Sequence, residues 1–218
     1  MIADQAITVR VRRERSEDER RVEEITRDAF WNLYAPGCVE HLLVHRIRTH
    51  RDCIPELSFV IERDGAVVGS IFYTASKVRS PDGWEHDTVT FGPVSIAPQL
   101  HRQGLGRALI THSIDEARRL GHRAILILGY PHHYEPYGFI GAKRWGIAMP
   151  DGRYYRGFMA LPLFDGALDG VAGTVVFSDV YDADPADAEV FDRGFPPKEK
   201  KVQESQRIFE RAAQELNE

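Results

Sequence analysis

The chain has 218 residues, 43% of them hydrophobic and 28% charged, with a formal net charge of −5. That is chain enough for one full core with an appendage, and the acidic balance argues against a general nucleic-acid binder. Two thiols, Cys38 and Cys53, make no disulfide framework and point to a reducing, cytoplasmic setting, while no apolar run approaches the ~20 residues that span a bilayer. The opening stretch MIADQAITVRVRRERSEDER also lacks the apolar segment of a signal peptide.

In chain order, residues 7–13 (ITVRVRR) alternate as a first strand. Ser16 followed by Glu19 is a capping-box pattern, which predicts a helix over about 17–32 with Val22, Ile25, Ala29 and Phe30 as its buried stripe. Pro36-Gly37 ends it. A second helix over about 39–50 turns Leu42, Leu43 and Ile47 inward. Strand-like runs flank Asp64-Gly65, the strongest short-range hairpin signal. A third strand spans about 88–96. The helix after it places Leu109, Ile110, Ser113, Ile114, Ala117 and Leu120 on one side, and Gly121 is the expected residue just past its end. AILILGY (124–130) reads as a strand buried on both faces.

The order of elements gives an α/β fold: a mixed, mostly antiparallel central sheet flanked by helices, with one late crossover. Composition shifts near residue 178. Residues 1–178 are expected to form the main domain. Residues 179–193 hold six acids and one Arg and read as a solvated connection to a C-terminal amphipathic helix. The stripe of that helix, Val202, Phe209, Ala212, Ala213 and Leu216, is expected to pack on the domain or across a homodimer.

The most informative stretch is FGPVSIAPQLHRQGLGRALI, residues 91–110. A strand runs into a proline, then a basic turn with two close glycines, and opens directly into a helix. Such a turn leaves several N–H groups unpaired at the positive end of the helix, where an anion is favoured. A P-loop would need Lys and Ser/Thr after the last glycine, but Arg107-Ala108 stand there. A dinucleotide fingerprint would need three glycines early in a βαβ unit, and only Gly104 and Gly106 are present. That leaves a turn that cradles the pyrophosphate of coenzyme A, or a tight turn that simply caps the helix well.

The motif VSIAPQLHRQGLGRALI resembles the acetyl-CoA motif of the GNAT superfamily of N-acetyltransferases, and LGYPHHYEPYGFIGA resembles the second half of that core. The hairpin ending VVGSIFY fits the preceding strand, and the resemblance covers about residues 8–165. FGPVSIAP, LGYPHHY and FMALPL bring it nearest to the bacterial YhbS-like branch. The resemblance implies an acetyl-CoA-dependent N-acetyltransferase with a C-terminal extension, acting on a small-molecule or protein amine by direct transfer. It implies cofactor contacts at Val94, Ser95 and Ile96 on the strand and at His101, Arg102, Gln103, Gly104, Leu105, Gly106 and Arg107 in the turn. Two departures stand out. His101 occupies the first motif position, usually Gln or Arg, and no carboxylate lies between Val89 and Ile96, where many relatives carry a general base. That second departure keeps open a non-catalytic acyl-CoA-binding or regulatory protein on the same fold.

Acetyl transfer to an amine poses two proton problems. The acceptor arrives as ammonium, and a lysine-like amine of pKa ~10.4 costs ~4.6 kcal/mol to deprotonate at pH 7. The leaving thiolate needs a proton donor, and a tyrosine stays protonated at that pH. The resemblance gives that role to Tyr134. It also brings Glu40 and His41 near the acceptor, as contacts or base. Gly92-Pro93 suggests an interruption of the strand ladder that would open a cofactor slot. His41 and His45 have the i, i+4 spacing of a metal pair, but EHLLVH lacks the Glu of a zinc-protease helix and no third ligand is evident, so no metal is expected. Cys38 has no partner His visible in sequence and is read as an idle thiol.

Overall fold

The computed structural model describes residues 7–217. Strand β1 (Val9–Arg13) leads to helices α1 (Glu19–Phe30) and α2 (Glu40–Ile47). Strands β2 (Phe59–Arg63), β3 (Ala66–Arg79) and β4 (Glu85–Ile96) form a meander. Helix α3 (Leu105–Arg119), strand β5 (Ala124–Leu128) and the short helix α4 (Pro131–Tyr134) follow. Then come β6 (Ile140–Gly141), β7 (Ile147–Ala148), β8 (Phe158–Pro162) and β9 (Gly173–Val176). The chain closes with α5 (Pro185–Asp192) and α6 (Glu204–Gln214).

The strands run in the order β1-β2-β3-β4-β5-β8-β6, with β9 on the outer end of β3 and β7 beside it. All pairings are antiparallel except β4–β5 and β7–β9. The chain therefore forms the expected mixed, mostly antiparallel sheet flanked by helices. The hairpin at Asp64-Gly65 is a two-residue turn with φ of 51° and 79°, the left-handed pair that matches strand twist. On one face of the sheet, α3 buries Leu105, Leu109, Ile110, Ile114 and Ala117. Ser113 on the same face joins the Tyr73 hydroxyl at 2.9 Å. On the other face, Val22 and Ile25 of α1 meet Leu43, Val44 and Ile47 of α2. Leu120 stays partly exposed because α3 has already ended. The N–H of Gly121 bonds to Arg118 and that of His122 to Ala117, a paired C-terminal cap.

Three sequence expectations are corrected. Ser16 does not cap α1. The Asp18 carboxylate accepts the Arg15 N–H at 2.8 Å and pairs with Arg12 at 2.6 Å, in a 3-10 turn before the helix; a charge-assisted contact outcompetes a hydroxyl cap. The acidic stretch is exposed at most of its acids but is more than a connection, because it forms α5 and is anchored. Asp192 holds the buried Arg27 through two bonds of 2.5 and 3.0 Å, and Asp187 reaches Arg46 at 2.6 Å, so α5 is fastened to α1 and α2. Finally, the α6 stripe is not buried on its own domain. Val202 is 74% exposed, Leu216 is 49% exposed, and Phe209, Ala212 and Ala213 are half-buried. Beneath α6 lies a cavity of about 290 Å³ rather than packed core.

Candidate active site

The site begins where the sheet stops being continuous. β4 and β5 share a single registered pair, Val89 with Ile125. Just beyond it β4 slips against β3, and Phe72 stands opposite both Gly92 and Pro93. Proline offers no N–H for the ladder. A Cβ on Gly92 would meet nothing within 4 Å, so the slip borders open space. Downstream, the Ala97 N–H donates toward β3, to Val68. By strand alternation Ile96 presents its main chain to the opposite, unpaired edge. There His101 Nε2 donates to the Ile96 carbonyl oxygen at 2.8 Å. Ser95 points its hydroxyl inward, between Thr26 at 3.1 Å and Ser70 at 3.2 Å, and by the same alternation its main chain faces β3, so Ser95 offers nothing to the open edge.

The turn then opens α3. Arg102 has φ 61° and Gly104 φ 81°, both left-handed. Among the described residues, the main-chain N–H groups of residues 102–107 make no hydrogen bond. A side chain on Gly104 would enter empty space and a strained φ. His101, Arg102, Gln103 and Arg107 are exposed, and Leu105 anchors the turn in the core. Gln103 accepts a hydrogen bond from Arg63. Six free donors at the start of a 15-residue helix form a site for an anion.

Across the break from β4, Tyr134 ends α4 with its ring between Phe91 (centroids 5.7 Å) and Phe139 (5.9 Å). Its hydroxyl has no hydrogen-bond partner among the described residues. Burial, aided by Tyr137, pushes its pKa up to about 12. Gly129, which sequence reading passed over, makes room for the ring, because a Cβ there would lie 2.5 Å from Tyr134 Cε2. The signal was available: a glycine ends the buried strand just ahead of the aromatic run.

Tyr34, beyond the end of α1, was also missed. Burial raises its phenol pKa, with smaller contributions from Tyr134, Glu40 and Tyr130; Tyr34 and Glu40 line a cleft of about 190 Å³, and Tyr130 lines the cavity beneath α6. Glu40 accepts the Val39 N–H at 3.0 Å, and burial raises its pKa. Thr90 of β4 carries a buried hydroxyl oxygen without a partner. Such orphans are rare and mark places for a water or a ligand atom.

His41 lies apart from this cleft. It is fully buried against Phe191 and Phe195, with Nδ1 3.4 Å from Cys38 Sγ and Nε2 3.2 Å from Asp192 without hydrogen-bond geometry. Burial lowers its pKa to about 4, against the opposing pull of Asp192. His45 turns instead to Glu23 at 3.0 Å, so the two histidines do not converge on a metal. His50, Asp52 and Asp179 do cluster, but Arg51 holds Asp179 at 2.7 Å in an ion-pair network. Burial pushes the Cys38 thiol up to about 12, which leaves it a poor nucleophile. A larger groove of about 710 Å³, beside Arg79, Pro150 and Gly173, gathers none of these groups.

Residues 27–136, half of the chain and the stretch from α1 through α4, match the acetyltransferase (GNAT) family. The chain belongs to that family. This GNAT protein is thereby an acyltransferase. It is 28% identical over 152 residues to an uncharacterized N-acetyltransferase, YhbS, of Escherichia coli K12, covering 69% of this chain and 87% of that protein. Escherichia coli YhbS in complex with CoA has a TM-score of 0.73 to it at 25% identity, over 83% of this chain and 95% of that one. A GNAT family acetyltransferase of Brucella melitensis, in complex with acetyl-CoA, shares the fold at TM-score 0.64 and 24% identity, over 80% and 98% of the two chains. The likeness to the YhbS branch expected from FGPVSIAP and LGYPHHY is thus found. Among the described residues no helix is long and apolar enough to cross a membrane.

Proposed function

We propose that this GNAT acetyltransferase uses acetyl-CoA and transfers the acetyl group directly to a primary amine. The observation that carries the reading is the row of six unpaired N–H groups, residues 102–107, beside the unpaired edge of β4. Acetyl-CoA would supply an activated acetyl thioester. The amides of Arg102, Gln103, Gly104, Leu105, Gly106 and Arg107 would hold its pyrophosphate, and Gly104 lets the backbone approach closely. His101 would keep the strand end in register through Ile96. The main chains of Val94 and Ile96 would line the pantetheine arm, while Ser95, turned to β3, would hold the strand in place.

Tyr134 is assigned the proton for the departing thiolate. Glu40 is assigned as the base, because a carboxylate of raised pKa can take up the proton that the acceptor ammonium gives off, passed on through water. His41 has no access to the cleft and is left out of the contacts. Thr90 is the polar side chain on β4 suited to holding a water in place of the missing strand carboxylate. Direct transfer is favoured because Cys38, the thiol nearest the cleft, is held neutral.

The test is calorimetric titration of CoA into wild type and Gly104→Glu, together with thiol release from acetyl-CoA against a panel of amines. The added carboxylate occupies the anion position, so CoA affinity should fall at least tenfold in a folded variant. Unchanged affinity would refute the pyrophosphate assignment, and CoA binding without transfer to any amine would refute the catalytic one.

A further inference from the structure

The C-terminal segment crosses the molecule as a strap. At one end, Glu199 O accepts from Trp31 Nε1 at 2.9 Å and Asn32 Nδ2 at 3.0 Å, and Asn32 in turn accepts from the N–H of Lys201 and the side chain of Gln206. At the other end, Arg156 N–H donates to Glu215 O and Asn217 N–H to Tyr154 O, each at 2.8 Å. Between these anchors no residue of α6 is buried, so the helix spans rather than packs. Its one large inward contact is Phe209. That ring stacks on Tyr34 at 4.0 Å and meets Tyr130 edge-on at 6.2 Å, and so joins the end of α1 to the end of β5.

Under the strap lies the cavity of about 290 Å³, lined by Leu128, Gly129, Tyr130, Phe209, Ala212 and Ala213 among others. Gly129 is the residue against which the Tyr134 ring rests, so the cavity is one residue from the group assigned to the leaving thiolate. Its volume is at the bottom of the range of small-molecule sites, ~300–1,000 Å³. Of the charged groups around it, Arg156 is paired with Glu215 at 2.7 Å. Glu135 has no ion-pair partner among the described residues, so the lining is negative on balance. Aromatic faces and an unbalanced carboxylate together suit an ammonium on an apolar body.

We propose that residues 198–217 roof the acceptor pocket and that Phe209 is its specificity-determining wall, admitting a small primary amine with a compact apolar body and excluding a lysine of a polypeptide chain. This rests on the acetyltransfer reading above for the identity of the site. A polypeptide needs an open groove, and at this cavity α6 forms one wall through Phe209, Ala212 and Ala213. Phe209 shapes the pocket by its ring, so the effect of its loss is the effect of one aromatic contact and of added room.

The test uses the full chain saturated with CoA. Benzylamine is titrated calorimetrically into wild type, Phe209→Ala and Phe209→Leu, each checked by thermal melting. Acetyl transfer to benzylamine and to a lysine-containing hexapeptide is compared in parallel. Wild type should bind benzylamine and prefer it to the peptide. Phe209→Ala should weaken benzylamine about 2- to 12-fold, the size of one aromatic pair, and raise kcat/KM for the peptide. Phe209→Leu keeps apolar cover and should fall between. Benzylamine bound by none of the three, or equally by all, overturns the proposal, as does a wild-type preference for the peptide. If binding follows the expected order while no amine is acetylated, the roof stands and the catalytic reading fails. If amines are acetylated and neither variant changes affinity or preference, the roof fails and the catalytic reading stands.

Discussion

Replacement of Tyr134 by Phe removes a single oxygen. The ring remains between Phe91 and Phe139 at centroid distances of 5.7 and 5.9 Å. The hydroxyl has no partner within the described protein, so its loss orphans no buried group and the fold should keep its stability. What disappears is a proton held ready. With a pKa of about 12, the phenol at pH 8 is ionised only to the order of 10⁻⁴. The donor is therefore loaded across the whole working range, and its titration should add no limb to the wild-type pH profile below about pH 10.

The expected loss in kcat is that of one general acid, ~10²–10⁴-fold, or about 2.7–5.4 kcal/mol at 1.36 kcal/mol per tenfold. KM for acetyl-CoA should hold, because the ring still lines the slot. A free thiol has a pKa near ~8.5, so the need for a donor fades as pH rises through that value. The Tyr134→Phe profile should climb toward wild type between about pH 8 and 10 while the wild-type curve does not. The assay is thiol release from acetyl-CoA with a saturating amine at half-unit pH steps. A variant within about threefold of wild type at every pH would fall far short of a general-acid effect and refute the assignment of Tyr134.

Two other outcomes follow from the same geometry. Gly129→Ala puts a methyl 2.5 Å from the Tyr134 ring edge, so it should displace the ring and lower kcat by at least tenfold with CoA affinity retained; wild-type turnover would show that the ring position is not critical. His41, held neutral by burial with a pKa of about 4 against ~6.5 unfolded, gives a pH-dependent stability. Between those values the unfolded state binds more protons, so stability should fall as pH drops from about 6.5 to 4 and then level off, by at most about 3 kcal/mol. Urea unfolding at pH 7, 5.5 and 4.5 should show that fall in wild type and a shallower one in His41→Leu; parallel slopes would refute it.

What could be read from the sequence is what depends on neighbours in the chain. The buried side of α3, the Asp64-Gly65 hairpin and the turn at Gly104 follow from helical period and from left-handed positions, and each is set within a few residues. The acidic run could not be placed that way. Its six acids look solvated until Arg27 and Arg46, far back in the chain, are seen to face Asp192 and Asp187. The aromatic cleft has the same character. Tyr34, Tyr130 and Phe209 come from three distant segments, and no local pattern announces that they meet.

His41 is a different case, because adjacency alone spoke against pairing it with Glu40. Adjacent residues on a helix point about 100° apart. Glu40 and His41 therefore do not share one face of α2, and one of them had to turn from the cleft. At 100° per residue His41 lies on the side of α2 away from the expected stripe of Leu42, Leu43 and Ile47, but Phe191 of α5 covers that side. His41 is therefore fully buried. A side chain covered in this way is dehydrated, which is what holds its imidazole neutral. Glu40, one position earlier, escapes that cover and lines the cleft at Tyr34 instead.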